Sequence, residues 1–189
     1  MKHIFYLHGM IIEVQGINAV SDQFGPYEYN AIIDSLKATG AEVHAEVRTE
    51  ETDFFEFGKK ISKEIDGLIS KGVAPSDITV IGASKGGMIA MYISDMNPHK
   101  INYVLLGSDS PYTRKTFDFN LHGTILGIYE RSDNIAPDNY QYWIDKSTNA
   151  GKFEQLRINT GLGHGFLYTP NKAWLLPATE WLNHRDPKE

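Results

Sequence analysis

The sequence predicts an α/β protein, with a mostly parallel sheet of about six strands and helices on both faces. Three observations carry that expectation. Short apolar or β-branched runs alternate with longer amphipathic stretches along the chain, the pattern of strand–helix–strand units whose crossovers cover a parallel sheet. One junction is unusually tight: Ile78-Thr79-Val80-Ile81 runs through Gly82-Ala83-Ser84-Lys85-Gly86-Gly87 into the apolar stretch Met88 to Met96. Residue types able to do chemistry gather just after predicted strands, where ligands bind in such sheets.

Taken in order, His3 to Leu7 is an apolar first strand ending in His8-Gly9. Met10 to Pro26 reads as a long loop containing Glu13, Gln15, Gly16 and Gly25. Tyr27 to Thr39 is predicted helical, with Ala31, Ile32, Ile33 and Leu36 on its inner face and Gly40 closing it. Ala41 to Val47 alternates as a strand does. Phe54 to Ser70 repeats Phe57, Ile61, Ile65, Leu68 and Ile69 at helical spacing before Gly72 stops it. That stripe is core. Pro75-Ser76-Asp77 turns the chain into the tight junction. Beyond it, Ile101 to Leu106 is a strand broken by Gly107-Ser108-Asp109-Ser110-Pro111. Gly123 to Tyr129 is a strand, Asn139 to Asn149 a helix and Phe153 to Ile158 the last strand. The closing helix uses Trp174, Leu175, Leu176, Trp181 and Leu182, with Pro177 at an entry turn or a kink.

The length of 189 residues suits one domain, 1–189, with a sizeable core. A net charge of −6 argues against non-specific binding to nucleic acid or anionic membrane. Cysteine is absent, which excludes disulfides and thiolate metal sites. No apolar run approaches the length of a membrane span. The chain reads directly into its first strand without a leader, so a cytoplasmic location is the default expectation; a removed signal peptide would leave the same sequence. No internal repeat or linker interrupts the pattern.

The tight junction has the form of a nucleophile elbow, G-x-S-x-G between a strand and a helix. So sharp a turn forces the serine into strained backbone angles and requires small side chains at Gly82, Ala83 and Gly86. It leaves the Ser84 hydroxyl exposed at the tip of the sheet. A serine hydroxyl needs a base to take its proton and a third group to orient that base. Asp133, in Tyr129-Glu130-Arg131-Ser132-Asp133-Asn134-Ile135-Ala136-Pro137, and His164, in Gly161-Leu162-Gly163-His164-Gly165-Phe166, both follow strands and supply those types. Their order, Ser84, Asp133, His164, is that of α/β hydrolases.

On these residues the chain resembles a small member of the α/β-hydrolase superfamily over essentially all of its length. The resemblance rests on His8-Gly9 after the first strand, the elbow at Ser84, Asp133 ahead of Ala136-Pro137, and Gly163-His164-Gly165. It implies an oxyanion hole from the backbone N–H of Lys85 and one near Met10. It also implies a reduced sheet of six strands, since the chain starts where most members have already made two. About fifteen residues separate the strands around Asp109, too few for a helical cap. An open site shaded by Met10–Pro26, with Phe24, Tyr27 and Tyr29, suits small or protruding acyl groups.

Two readings follow. In the first, a cofactor-free and metal-free serine hydrolase cleaves carboxylic esters, with thioesters the next substrate class in order, through an acyl-enzyme. In the second, a non-catalytic protein keeps the fold to bind a ligand or partner. Gly9, Glu13, Tyr27 and Asp109 are the expected substrate contacts. Asp109 is also the alternative triad acid, with Asp133 preferred on its flanking pattern. Glu130 reads as a solvated neighbour, and His8 as shaping the oxyanion loop. Glu13 and Arg48 line the pocket or form an ordinary surface ion pair. The Lys85 ammonium either favours anionic substrates or is a surface group whose backbone alone matters. His3, His44, His99, His122 and His184 show no metal-ligand spacing along the chain, and the dinucleotide and P-loop fingerprints are missing.

Overall fold

The structure, a computed structural model, describes residues 1–184. Among these, β1 (His3–Leu7), β4 (Glu42–His44), β5 (Ile78–Ala83), β6 (Asn102–Leu106), β7 (Gly123–Glu130) and β8 (Ala150–Ile158) form one sheet. Its order is β4-β1-β5-β6-β7-β8, and every pairing in it is parallel. The elbow strand β5 therefore runs near the middle, between β1 and β6.

Side chains alternate across this sheet with the strand period of two, and the alternation builds two separate cores. Ile4, Tyr6, Ile81, Ala83, Val104 and Leu106 face one side, where α2 (Tyr29–Lys37) contributes Ile32 and Leu36 and α7 (Lys172–Trp181) contributes Trp174 and Ala178. Phe5, Leu7, Val80, Tyr103 and Leu105 face the other, under α3 (Phe54–Ser70), α4 (Lys85–Met96) and α6 (Gln141–Lys146). The helices cover both faces, as the sequence predicts. The α3 boundaries match the predicted Phe54 to Ser70, because Asp53 caps it by accepting from the N–H groups of Phe55 and Glu56.

Several expected boundaries move. Met10 to Pro26 is not one loop: it holds α1 (Met10–Gln15) and a small antiparallel pair, β2 (Val20–Ser21) with β3 (Gly25–Pro26). At six residues α1 is too short to display a periodicity. The predicted strand Ala41 to Val47 shrinks to β4, because the chain leaves the sheet edge so that the Arg48 N–H can reach His8 Nε2 at 2.8 Å. The predicted helix Asn139 to Asn149 shrinks to α6; its start is set by the Tyr140 N–H donating to Gln155 Oε1. Between β6 and β7 lies only α5 (Pro111–Thr116), capped by Ser110, so the site carries no helical cap. Pro177 sits inside α7 rather than at its entry.

Candidate active site

Ser84 joins β5 to α4 with φ 53° and ψ −118°, and among the described residues no other non-glycine residue has positive φ. Holding a serine there costs about 1–3 kcal/mol and persists only where the surroundings over-determine it. The glycines show how. A Cβ on Gly82 would overlap the Gly86 carbonyl, and one on Gly86 would overlap the Leu7 carbonyl. A Cβ on Gly87 would strike Ser108. Strand, turn and helix are packed backbone to backbone, which leaves Ser84 no ordinary conformation.

From this position Ser84 Oγ lies 2.9 Å from His164 Nε2. His164 stands in a 3-10 turn, Gly163–Leu167, just beyond β8, and its Nδ1–H donates to Asp133 Oδ2 at 2.6 Å. The other oxygen of Asp133 accepts the N–H groups of Ile135 and Ala136 at 2.8 and 3.0 Å. Burial would raise the Asp133 carboxyl, but the His164 hydrogen bond and charge, with those two amides, outweigh it and hold the group below its ordinary value. Asp133 and His164 are both buried, at 4% and 6% exposure, so this relay is shielded from water.

Asp109 does not share this cluster. It is buried on Arg114, which donates from Nε and Nη2 at 3.0 and 2.6 Å, and on Trp143 Nε1 at 2.9 Å. Burial dominates and raises its pKa despite those bonds. It lines neither cavity beside Ser84, and the acid that meets His164 Nδ1 is Asp133. Glu130 is not solvated either. At 1% exposure it takes Ser132 N–H and Oγ–H on Oε1, and Thr160 N–H and Oγ–H on Oε2. It thus ties the Asp133 loop to the His164 loop.

Glu13 is also turned inward. Because Met10–Gln15 is helical, Glu13 points beneath the site; its oxygens meet Arg48 Nε at 2.8 Å and Lys85 Nζ at 2.5 Å. The Glu13 and Arg48 side chains are 3% and 1% exposed, a buried pair and not a surface one. The Lys85 ammonium is therefore engaged rather than a free surface group. His8 lies beside them. Its Nδ1–H donates to the Gly9 carbonyl at 2.8 Å and its Nε2 accepts from the Arg48 N–H. Burial, with the Arg48 charge, pushes the His8 pKa down to about 4.

Two cavities meet at Ser84. The larger, about 490 Å³, is lined by Met10, Phe54, Met88, Tyr112, Phe117 and Ile135 among others. The smaller, about 300 Å³, is lined by Gly9, Tyr27, His164, Leu167 and Tyr168, and shares Met10, Ser84 and Ile135 with the first. Of the four residues the sequence puts forward as substrate contacts, Gly9 and Tyr27 line the smaller cavity, and Glu13 and Asp109 line neither. Phe54, Met88, Ile135 and Tyr168 escape sequence reasoning because they read as core or loop apolar residues. Met10 and Lys85 are the first residues of α1 and α4, so their backbone N–H groups have no intrahelical acceptor.

A model of the phospholipase/carboxylesterase family matches residues 41–164, about two thirds of the chain. The chain belongs to that family of α/β hydrolases. Similar solved structures extend the likeness across the rest of the fold. SOBER1 of Arabidopsis thaliana is 12% identical with a TM-score of 0.57, over 96% of this chain and 97% of its own. A putative YdeN-like hydrolase of Pectobacterium atrosepticum is 14% identical with a TM-score of 0.60, over 96% and 91%. Esterase PE8 is 14% identical with a TM-score of 0.55, over the same shares. No curated protein sequence gives a significant match. Membership of that esterase family implies small-molecule ester substrates, and no helix among the described residues is long and apolar enough to cross a membrane.

Among the described residues, this hydrolase also brings together one group that could hold a metal. His3, Glu42 and His44 place ligand atoms within 4.8 Å of one another. Their spacing along the chain does not reveal this, because the β1–β4 register sets His3 beside Glu42 and Phe5 beside His44. The imidazoles hydrogen-bond each other, Nδ1 to Nε2, at 3.1 Å. The group lies at the opposite end of the strands from Ser84.

Proposed function

We propose that the protein is a serine esterase, in one domain, working through an acyl-enzyme. The observation that carries this reading is the unbroken relay Ser84 Oγ–His164 Nε2 and His164 Nδ1–Asp133 Oδ2, at 2.9 and 2.6 Å, opening onto two cavities. As Ser84 Oγ adds to the ester carbonyl carbon, its proton passes to His164 Nε2. Asp133 holds the ring in the tautomer that can accept it and faces the positive charge that forms. The carbonyl oxygen becomes an oxyanion facing the N–H groups of Lys85 and Met10. Each such donor is worth about 10²–10³-fold in rate. Collapse breaks the ester C–O bond, and His164 returns the proton to the departing alcohol oxygen. Water then repeats the sequence on the acyl-enzyme and releases the acid.

The leaving oxygen must be within reach of His164. His164 lines the smaller cavity and not the larger. The alcohol is therefore assigned to the side of Tyr27, Leu167 and Tyr168, and the acyl group to the side of Phe54, Met88 and Phe117. A thioester enters the same scheme with a thiolate as leaving group. The strain at Ser84 favours catalysis over a ligand-binding role, since a binder has no use for a serine held at positive φ. Labelling with a fluorophosphonate tests the assignment: the wild type is expected to be modified at Ser84, and Ser84→Ala to be neither labelled nor active. Labelling that survives Ser84→Ala would overturn it.

A further inference from the structure

We propose that Lys85, Glu13 and Arg48 form a clamp that holds the two arms of the oxyanion hole in register, making Lys85 and Glu13 positioning residues for the reaction. The inference rests on the esterase reading above and assigns work to side chains which that reading leaves unused. An oxyanion hole acts only if its donors converge on one point, about 3 Å from each. Here the two N–H groups belong to separate segments, the head of α1 and the head of α4. Each segment carries one end of the clamp. Lys85 extends from α4 to Glu13 Oε2 on α1 at 2.5 Å, and the other Glu13 oxygen takes Arg48 Nε at 2.8 Å.

Arg48 carries the linkage onward. Its Nη2 donates to the His8 carbonyl and its backbone N–H to His8 Nε2, while His8 Nδ1–H holds the Gly9 carbonyl. The contacts Lys85–Glu13–Arg48–His8–Gly9 thus close a loop around Met10. Arg48 Nη1 makes no hydrogen bond among the described residues, and the guanidinium lies over the Phe57 ring at 5.3 Å. So buried an ion pair is weak evidence for added stability, since desolvation offsets much of its attraction. Geometry is its better-supported use. Two cations on one carboxylate also leave a net positive charge beneath the point where negative charge develops.

The test compares wild type, Lys85→Met, Lys85→Arg and Glu13→Gln with Lys59→Met, which removes an exposed ion pair with Glu56 on α3. The readouts are kcat and KM for a neutral short-chain p-nitrophenyl ester, the affinity of an alkylboronic acid that mimics the tetrahedral intermediate, and Tm. Lys85→Met is expected to lower kcat about ten- to a hundredfold with little change in KM, equally at low and high salt. Boronate affinity should fall by the same factor as kcat/KM. Lys85→Arg should recover most of the loss, and Lys59→Met should match wild type. Glu13→Gln should resemble Lys85→Met in kcat, and the double variant should lose less than the product of the two. An unchanged kcat in Lys85→Met, or a loss confined to anionic esters and erased by salt, overturns the clamp. So does a loss that merely follows a fall in Tm and vanishes on cooling. A wild type that fails to label at Ser84 removes the esterase reading itself, whereas a labelled, active wild type with an indifferent Lys85→Met removes the clamp alone.

Discussion

At the scale of single residues, the relay depends on one tautomer. With Asp133 Oδ2 accepting from Nδ1–H, His164 presents a bare Nε2 to Ser84. Asp133→Asn would offer an amide N–H in place of an acceptor and favour the other tautomer. A kcat about 10³–10⁴-fold lower is expected from steady-state assays, with Tm moved by only a few degrees. His8 gives a second residue-scale expectation, in stability. Its Nε2 must stay unprotonated to accept from the Arg48 N–H, and its pKa is about 4 in the fold against 6.5 in a free side chain. The unfolded chain therefore binds the proton first as pH falls. The stabilisation from a neutral His8 is complete above about pH 6.5 and drains away as pH falls toward 4. Urea titrations between those limits should show wild type losing stability more steeply than His8→Gln, which cannot titrate.

At the scale of elements, the elbow is specified by missing side chains. Gly86→Ala should be severely destabilised or fail to accumulate folded, because its Cβ would meet the Leu7 carbonyl of β1. Gly67→Ala, on α3 with nothing near its Cβ, should instead raise stability by about 0.5–1 kcal/mol, measured as a higher Tm. The Asp133 and His164 loops are joined through Glu130, so Glu130→Gln should lower both Tm and kcat as its four donors lose a carboxylate. How legible these parts are in the sequence follows from their physics. The strands β1, β5, β6 and β7 and the helix α3 announce themselves because burial on one or both faces fixes their pattern. The elbow is legible because only small residues fit it. The six residues of α1 carry too little pattern to show a helix, and Glu130 looks solvated because its partners, Ser132 and Thr160, are brought to it by tertiary structure. The Glu13–Arg48–Lys85 cluster is invisible for the same reason: three charges scattered over the chain say nothing of burial until α1 is placed under the elbow.

At the scale of the whole molecule, the absence of a cap between β6 and β7 leaves the larger cavity, proposed above for the acyl group, bounded by α5 and by the stacked rings of Phe54 and Phe117, 5.3 Å apart. Acetyl and butyryl esters should give higher kcat/KM than a sixteen-carbon ester assayed below micelle formation, and Phe117→Ala should shift the optimum toward longer chains. The two-sided sheet has a further consequence for how such an enzyme can change. Phe54 and Phe117 pack on the core under α3 and α4, whereas Tyr27, Leu167 and Tyr168 belong to the core on the opposite face. On the assignment proposed above, each half of the substrate is walled by a different interior, with a layer of strands between them. Substitutions that reshape the acyl wall repack against one set of neighbours, and those that reshape the alcohol wall against another. The two preferences can drift apart in a lineage, or be bred separately in the laboratory, with each half of the ester altered while the other stays recognised as before.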